Sequence, residues 1–287
     1  RRLTFPCFYA LLPKIKRHRL NRYLNSRSST ALRIVEQILK SNTTRRGMDY
    51  LSSKRNRVYT VLKWVLETGA EMDGYDDNYE EIMDVTVSVL LYTYKDNSII
   101  PLVTDMIFRR GKTGKYIHDL VWALFRAEDP QALRLIANRL KSPDKEEVRL
   151  ACEFLNIDDN NIEAMDYRKR EAVYESYLNW LEENDPFLYF TKDGYQFASK
   201  PTFSAVDMER KYLNKGIKEY TKRPLSPSDD NENTSLKAFK TLGVEEKKLL
   251  SQYSYNTYKK NRAEWERWVS SPISEQLKSA RGERGRF

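Results

Sequence analysis

The chain has 287 residues, 40% of them hydrophobic and 32% charged, with a formal charge of +9 and with ten Gly, ten Pro, two Cys and two His. This length suits one large or two ordinary domains, and Gly plus Pro at about 7% of residues, against a usual total near 12%, speaks against a sandwich or barrel of many short strands. The uncharged, mostly apolar runs Leu3 to Pro13 and Val85 to Tyr94 are each only about half of the roughly 20 residues that a bilayer span needs. Cys7 and Cys152 can build neither a disulfide framework nor a four-thiolate zinc site, so a reducing, intracellular and cytoplasmic setting is the expectation.

In chain order, the sequence opens at Arg1 without a methionine, which allows for a removed start and targeting signal. The apolar run Leu3 to Pro13 then meets Lys14, Lys16, Arg17 and Arg19 and reads as a helix packed on the body; a remnant that touched a membrane is the other reading. Residues 1 to 66 form a basic helical region, with sixteen Lys and Arg against Glu36 and Asp49, a balance of +14. Ser29 to Lys40 and Met48 to Glu67 are its next two helices. Such a segment attracts polyanions or an acidic protein face. The plain alternative is internal neutralisation by residues 67 to 96, whose balance is −8.

Residues 67 to 203 are read as a helical-repeat core ending in an aromatic loop. Ile82, Met83, Thr86, Val87, Leu90 and Leu91 mark one helical face, and Ile99 to Ile107 a second helix. Tyr116 to Phe125 and Leu133 to Leu140 follow, then a helix through Val148, Ala151, Cys152 and Leu155. A shift of 34 places Val87 on Val121, Leu90 on Leu124, Leu91 on Phe125 and Ile82 on Tyr116. A shift of 33 places Ile100 on Leu133, Val103 on Ile136, Ile107 on Leu140 and Asp96 on Asp129. Helical hairpins of this period cannot cover their own apolar faces and must stack. An amphipathic helix near Asp166 to Leu181 would complete a third hairpin.

After the core, Phe187 to Phe203 is an aromatic stretch that suits a small hairpin or a packed loop, and 204 to 223 reads as a helix. PLSPSDDNENTS, residues 224 to 235, reads as a flexible linker. Residues 236 to 287 are expected to form an aromatic helix, Val244 to Val269, and a basic tail, KSARGERGRF, without fixed structure of its own.

The segment SPDKEEVRLACEFL, Ser142 to Leu155, resembles the helix of a HEAT-type repeat. AEDPQALRLIANRL, Ala127 to Leu140, is similar to it at an offset of 15, sharing Asp129 with Asp144, Arg134 with Arg149, Leu135 with Leu150 and Leu140 with Leu155. The resemblance covers roughly residues 79 to 157. The period of 33 to 34 is shorter than that of a typical HEAT repeat, and the N-terminal third carries no clean copy. It implies an all-α protein with an α-α superhelix, and the usual role of a binding scaffold. It implies no catalytic residue.

Catalytic motifs are weak. RRGKTGK holds Gly111, Lys112 and Thr113, the end of a phosphate-binding loop, but the first glycine of that motif would fall on Met106 in a helical segment, so the stretch reads as a linker between repeats. His18 and His118 have no partner at metal-ligand spacing, Cys152 occupies an apolar helical position, and pairs such as Glu182 and Glu183 are too common to signify. Asn42 and Asn233 begin sequons that read as coincidence. No cofactor or metal is implied.

The functional expectation is a non-catalytic scaffold or adaptor for a protein, using Arg109, Arg110, Lys112 and Lys115 on the repeats and Tyr258, Trp265 and Trp268 in the C-terminal segment, through which self-association is also conceivable. The alternative is a nucleic-acid binder using Lys14, Lys16, Arg17, Arg19, Arg22, Arg45, Arg46, Lys54, Arg55 and Arg57. The same C-terminal aromatics among Lys259, Lys260 and Arg262 would also suit base stacking. An enzyme of unidentified class ranks third.

Overall fold

The computed structural model describes residues 3–40, 56–157, 166–191, 203–217 and 230–284. Among these the protein is all-α apart from one two-stranded antiparallel sheet. Two compact units result. The first comprises Arg1–Glu175 with Asp193–Pro201, the second Ser176–Lys192 with Thr202–Phe287.

In the first unit the opening apolar run forms α1, Phe5–Arg17. Phe5, Phe8, Leu12 and Ile15 are buried, and the rings of Phe5 and Phe8 lie against Trp64, and those of Phe5 and Tyr9 against Tyr79. This apolar stripe therefore serves the unit's own core, and no described helix is long and apolar enough to cross a membrane. Then come α2, Ser26–Lys40, and α3, Asn56–Gly69. The first part of the expected Met48 to Glu67 helix lies outside the described residues. Gly69 is where α1, α3 and the next helix converge. A Cβ there would stand 2.7 Å from Met83 Cε and 2.8 Å from the Tyr79 hydroxyl, which donates to the Gly69 carbonyl at 2.9 Å. Gly69→Ala is expected to cost about 1–3 kcal/mol through overpacking, read as a fall in melting temperature; an unchanged melt would contradict this packing.

The region read from the sequence as repeats follows as α4, Asp77–Tyr92, α5, Ile100–Lys112, α6, His118–Arg126, α7, Pro130–Asn138, and α8, Lys145–Leu155. The starts of α4, α7 and α8 are each set by a carboxylate that takes up free amides. Asp76 accepts from Tyr79, Asp129 from Gln131, and Asp144 from Glu146 and Glu147. Asp96 accepts from Ser98 and opens the short turn that leads into α5. The aligned positions Val87 and Val121, Leu90 and Leu124, and Leu91 and Phe125 are all buried, as are Ile100 and Leu133, Val103 and Ile136, and Ile107 and Leu140. Helix α4 packs on α6, and α5 on α7 and α8. The equivalent carboxylates are also linked, since Asn97 beside Asp96 donates to Asp129 at 2.8 Å.

Three details depart from the sequence reading. Ile82 is fully buried, yet its aligned partner Tyr116 is 62% exposed and precedes α6. The stretch RRGKTGK is largely the last turn of α5, not a linker, with Gly111 admitting the Leu150 side chain. The amphipathic helix near residue 166 extends as α9, Tyr167–Asn184, and the boundary between the units falls within it.

In the second unit β1, Leu188–Phe190, from the aromatic stretch pairs with β2, Ser204–Val206, which lies beyond it; residues 192 to 202 between them lie outside the described residues. Of the helix expected over 204 to 223, residues 204 to 206 are drawn into the sheet and Met208–Tyr212 form α10, capped by Asp207; residues 218 to 223 lie outside the described residues. Asp230 to Ser235, expected as linker, instead open α11, Asp230–Lys240, whose Leu236 and Phe239 are buried. The expected long aromatic helix is two: α12, Val244–Lys260, and α13, Arg262–Val269. Asn261 breaks them, its extended backbone ending α12 while its side chain caps Ala263 and Glu264. The described part of the tail lies in α14, Ile273–Arg284, which buries Ala280; residues 285 to 287 lie outside the described residues.

Candidate functional site

The cluster of bases at the end of α5 is engaged internally. Arg110 is 2% exposed. Its Nε and Nη2 donate to both carboxylate oxygens of Asp73 at 2.7 Å, and its Nη1 to the Tyr116 carbonyl at 3.2 Å. Asp84 Oδ1 lies 2.9 Å from Arg110 Nη2 without an aligned hydrogen bond. Burial drives the Asp84 carboxyl up to about 6, against the pull of Arg110, while Asp73 and Asp84 hold the Arg110 guanidinium charged. Lys115 donates to the Gly74 carbonyl at 2.7 Å and to Glu80 at 2.5 Å. Lys112 pairs with Asp144 at 2.9 Å, and Arg109 is exposed but donates to the Ala70 carbonyl at 2.6 Å. Arg110 is thus a core residue and no surface contact. The acidic stretch is neutralised in part by the base of α5, not by residues 1 to 66 as a block.

Among the described residues of that basic region, Tyr9 donates to Asp76, and Tyr59 and Lys63 to Asp96. Lys14, Lys16, Arg17, Arg19, Arg22 and Arg57 are exposed, and none of them forms an ion pair among the described residues. Arg22 lies over the ring of Tyr23 at 4.9 Å. Arg45, Arg46, Lys54 and Arg55 lie outside the described residues.

The same Asp84 forms the end of a groove between α4 and α6, with a volume of about 190 Å³, lined by Val85, Ser88, Tyr92, Asp119, Trp122, Ala123 and Arg126. Two aromatic groups extend it. Tyr116 lies 5.9 Å from His118, which stacks on Trp122 at 6.4 Å and 8°. At the other end Arg126 lies 4.5 Å and Lys95 5.0 Å from the centre of the Tyr92 ring. Tyr92 is 56% and Tyr116 62% exposed. The sequence reading missed Tyr92, Trp122 and Arg126. The available signal was their place off the apolar stripe: Tyr92 follows the last buried residue of α4, and Trp122 and Arg126 sit one helical turn apart on the outward side of α6.

The C-terminal aromatics belong to the core of the second unit. Trp265 and Trp268 are buried with Tyr212, Phe239 and Leu250. Trp265 Nε1 donates to Ser254 at 2.7 Å, and the Tyr258 ring packs edge-on against Trp265 at 5.2 Å. These residues hold the unit together; only part of Tyr258 reaches solvent.

This unit also forms a pocket of about 560 Å³, open to solvent, whose lining includes Trp180, Asn184, Met208, Lys211, Leu249, Gln252 and Tyr253. Lys211 is 3% exposed and donates to Asn184 Oδ1 at 2.7 Å and Gln252 Oε1 at 2.5 Å. Burial lowers its ammonium to about 8, with Glu183 opposing. No pattern around Lys211 marks it in the sequence. Among the described residues no three His, Cys, Asp or Glu side chains gather as metal ligands.

Comparison of the chain with protein-family models, with curated proteins and with solved structures finds no match.

Proposed function

We propose that the protein is a non-catalytic scaffold, that its helical hairpins stack as a short HEAT-like superhelix, and that a protein partner docks on the groove between α4 and α6. The observation that carries this reading is the row of exposed Tyr92, Tyr116 and Arg126 with half-buried His118 and Trp122 beside a groove. Tyr, Trp and Arg dominate interface hot spots because they bring large contact area and directed polar groups to a desolvated centre. The row lies on the repeat helices, and its rings are held by one another and by cations, so little ordering cost remains on binding. Arg109 and Lys112 lie on the same helical region as exposed groups already paired, and are rim contacts at most.

The test is quantitative affinity purification of the full chain and of a Tyr92→Ala, Trp122→Ala, Arg126→Ala variant from cells of the source organism. One protein is expected to be retained by the parent chain at 0.5 M salt, about 10-fold or more above the variant. Equal recovery would overturn the reading.

A second reading rests on a different observation, the exposed Lys14, Lys16, Arg17, Arg19, Arg22 and Arg57, which form no ion pair among the described residues. Each lysine or arginine that meets a phosphate releases counterions, so six contacts imply an affinity for duplex DNA or RNA that falls roughly 10³-fold between 50 and 200 mM salt. Fluorescence anisotropy with a generic duplex measures this slope; a flat response removes the nucleic-acid reading.

A further inference from the structure

The second unit holds a buried cation without a counter-ion. Lys211 makes no ion pair within 4 Å among the described residues; its two hydrogen-bond partners are the neutral amide oxygens of Asn184 and Gln252. The nearest acid in the network, Glu183, is one step away, accepting from Gln252 Nε2 at 3.0 Å. A buried charge left in this condition is costly unless something else meets it. The ammonium also borders a cavity of about 560 Å³, within the size range of small-molecule sites.

The chemistry of the lining narrows the ligand. Two of the three Nζ protons are taken by amide oxygens, which leaves one donor. A phosphate or sulfate, which needs several donors, is poorly served; one carboxylate oxygen is served well. Trp180, Met208, Leu249 and Tyr253 offer apolar surface for a hydrocarbon body. We propose that this cavity binds a small organic carboxylate, its anionic group meeting Lys211 and its apolar body lying against Trp180, Leu249 and Tyr253.

Binding would return the missing counter-charge to Lys211 and so draw a proton onto it. The ionisable groups around the ammonium are Glu183 on α9, and Tyr255, Lys259, Glu245 and Lys248 on α12; Lys248 is paired with Glu245 at 2.9 Å. Only Lys211 lies buried in the cavity with its midpoint at about 8. At pH 8 the ligand therefore brings about half a proton with it.

The experiment is isothermal titration of the full chain with 4-phenylbutyrate and with its neutral analogue 4-phenylbutyramide at pH 8, in phosphate and in Tris. The acid is expected to bind about 10-fold or more tighter than the amide. Its enthalpy is expected to differ between the buffers by the ionisation heat of about half a proton. Lys211→Met is expected to equalise the two ligands. Equal affinity for acid and amide, a preference that survives in Lys211→Met, or no binding of either would overturn the proposal. If the variant does not fold, the acid-to-amide ratio and the buffer dependence of the parent chain still decide.

Discussion

Asp73→Ala is expected to unfold the first unit at temperatures where the parent chain is stable. Arg110 lies inside the unit, and its two 2.7 Å bonds to Asp73 are its main compensation for lost water. Removing one partner of a buried pair leaves the other charge uncompensated and costs about 3–5 kcal/mol, a large share of a domain's stability. Hydrogen exchange should show α4 and α5 losing protection together. Asp84→Asn should act in the opposite direction. Its carboxyl is held at about 6 in the folded chain, above its ordinary 3.8, chiefly by burial. Between those two values the folded state binds more protons than the unfolded, so this group adds stability as pH falls from about 6 to 4. It is a penalty above pH 6, of roughly 2–3 kcal/mol. The Asn variant should therefore be the more stable protein at pH 8, with the advantage fading toward pH 4. Urea midpoints at both pH values measure this, and a loss of stability in Asp84→Asn at pH 8 would contradict it.

Phe239→Ala should have a comparable effect on the second unit. Phe239 stacks on Tyr212 with centroids 4.3 Å apart and rings 15° from parallel. The Tyr212 hydroxyl donates to Gln276 Oε1 at 2.7 Å, and its carbonyl accepts from Ser254, which in turn accepts from Trp265. Tyr212 thus joins α10 to α11, α12 and α14, and through Ser254 to α13, and Phe239 is the ring it stacks on. Loss of the Phe239 ring opens a cavity beside Tyr212, a cost of about 3–5 kcal/mol. Native-state exchange of the peptides covering α11 to α14 should rise in concert; a rise confined to α11 would contradict the shared core.

The two networks mark where the sequence was readable and where it was not. Helix type and the buried face of α4 to α8 were legible because Val87, Leu90, Val103, Ile107 and their counterparts 33 to 34 residues on recur at helical spacing, and because Asp96, Asp129 and Asp144 stand where free amides need acceptors. The burial of Arg110 was not legible. Its carboxylate partner is 37 residues away, and a run of bases at a helix end has the same pattern whether it faces water or a neighbouring acid. The C-terminal aromatics misled for a related reason. Trp265 and Trp268 satisfy the spacing of an interface helix and of a core helix equally, and only the ordering of Asp230 to Lys240 as α11 supplies the second surface that covers them. Lys211 and its cavity arise from three separate helices, so no local pattern encodes them.

The groove between α4 and α6 is the centre of the functional account, and a photo-crosslinker at its rim tests it most directly. A p-benzoylphenylalanine residue would replace the exposed Asp119, and in a second chain the exposed Arg149 on α8, both expressed in cells of the source organism. The account predicts a discrete protein adduct from position 119 that is absent from position 149 and is lost when Tyr92 and Arg126 are changed to alanine. The same adducts from both positions, or adducts to nucleic acid alone, would contradict it.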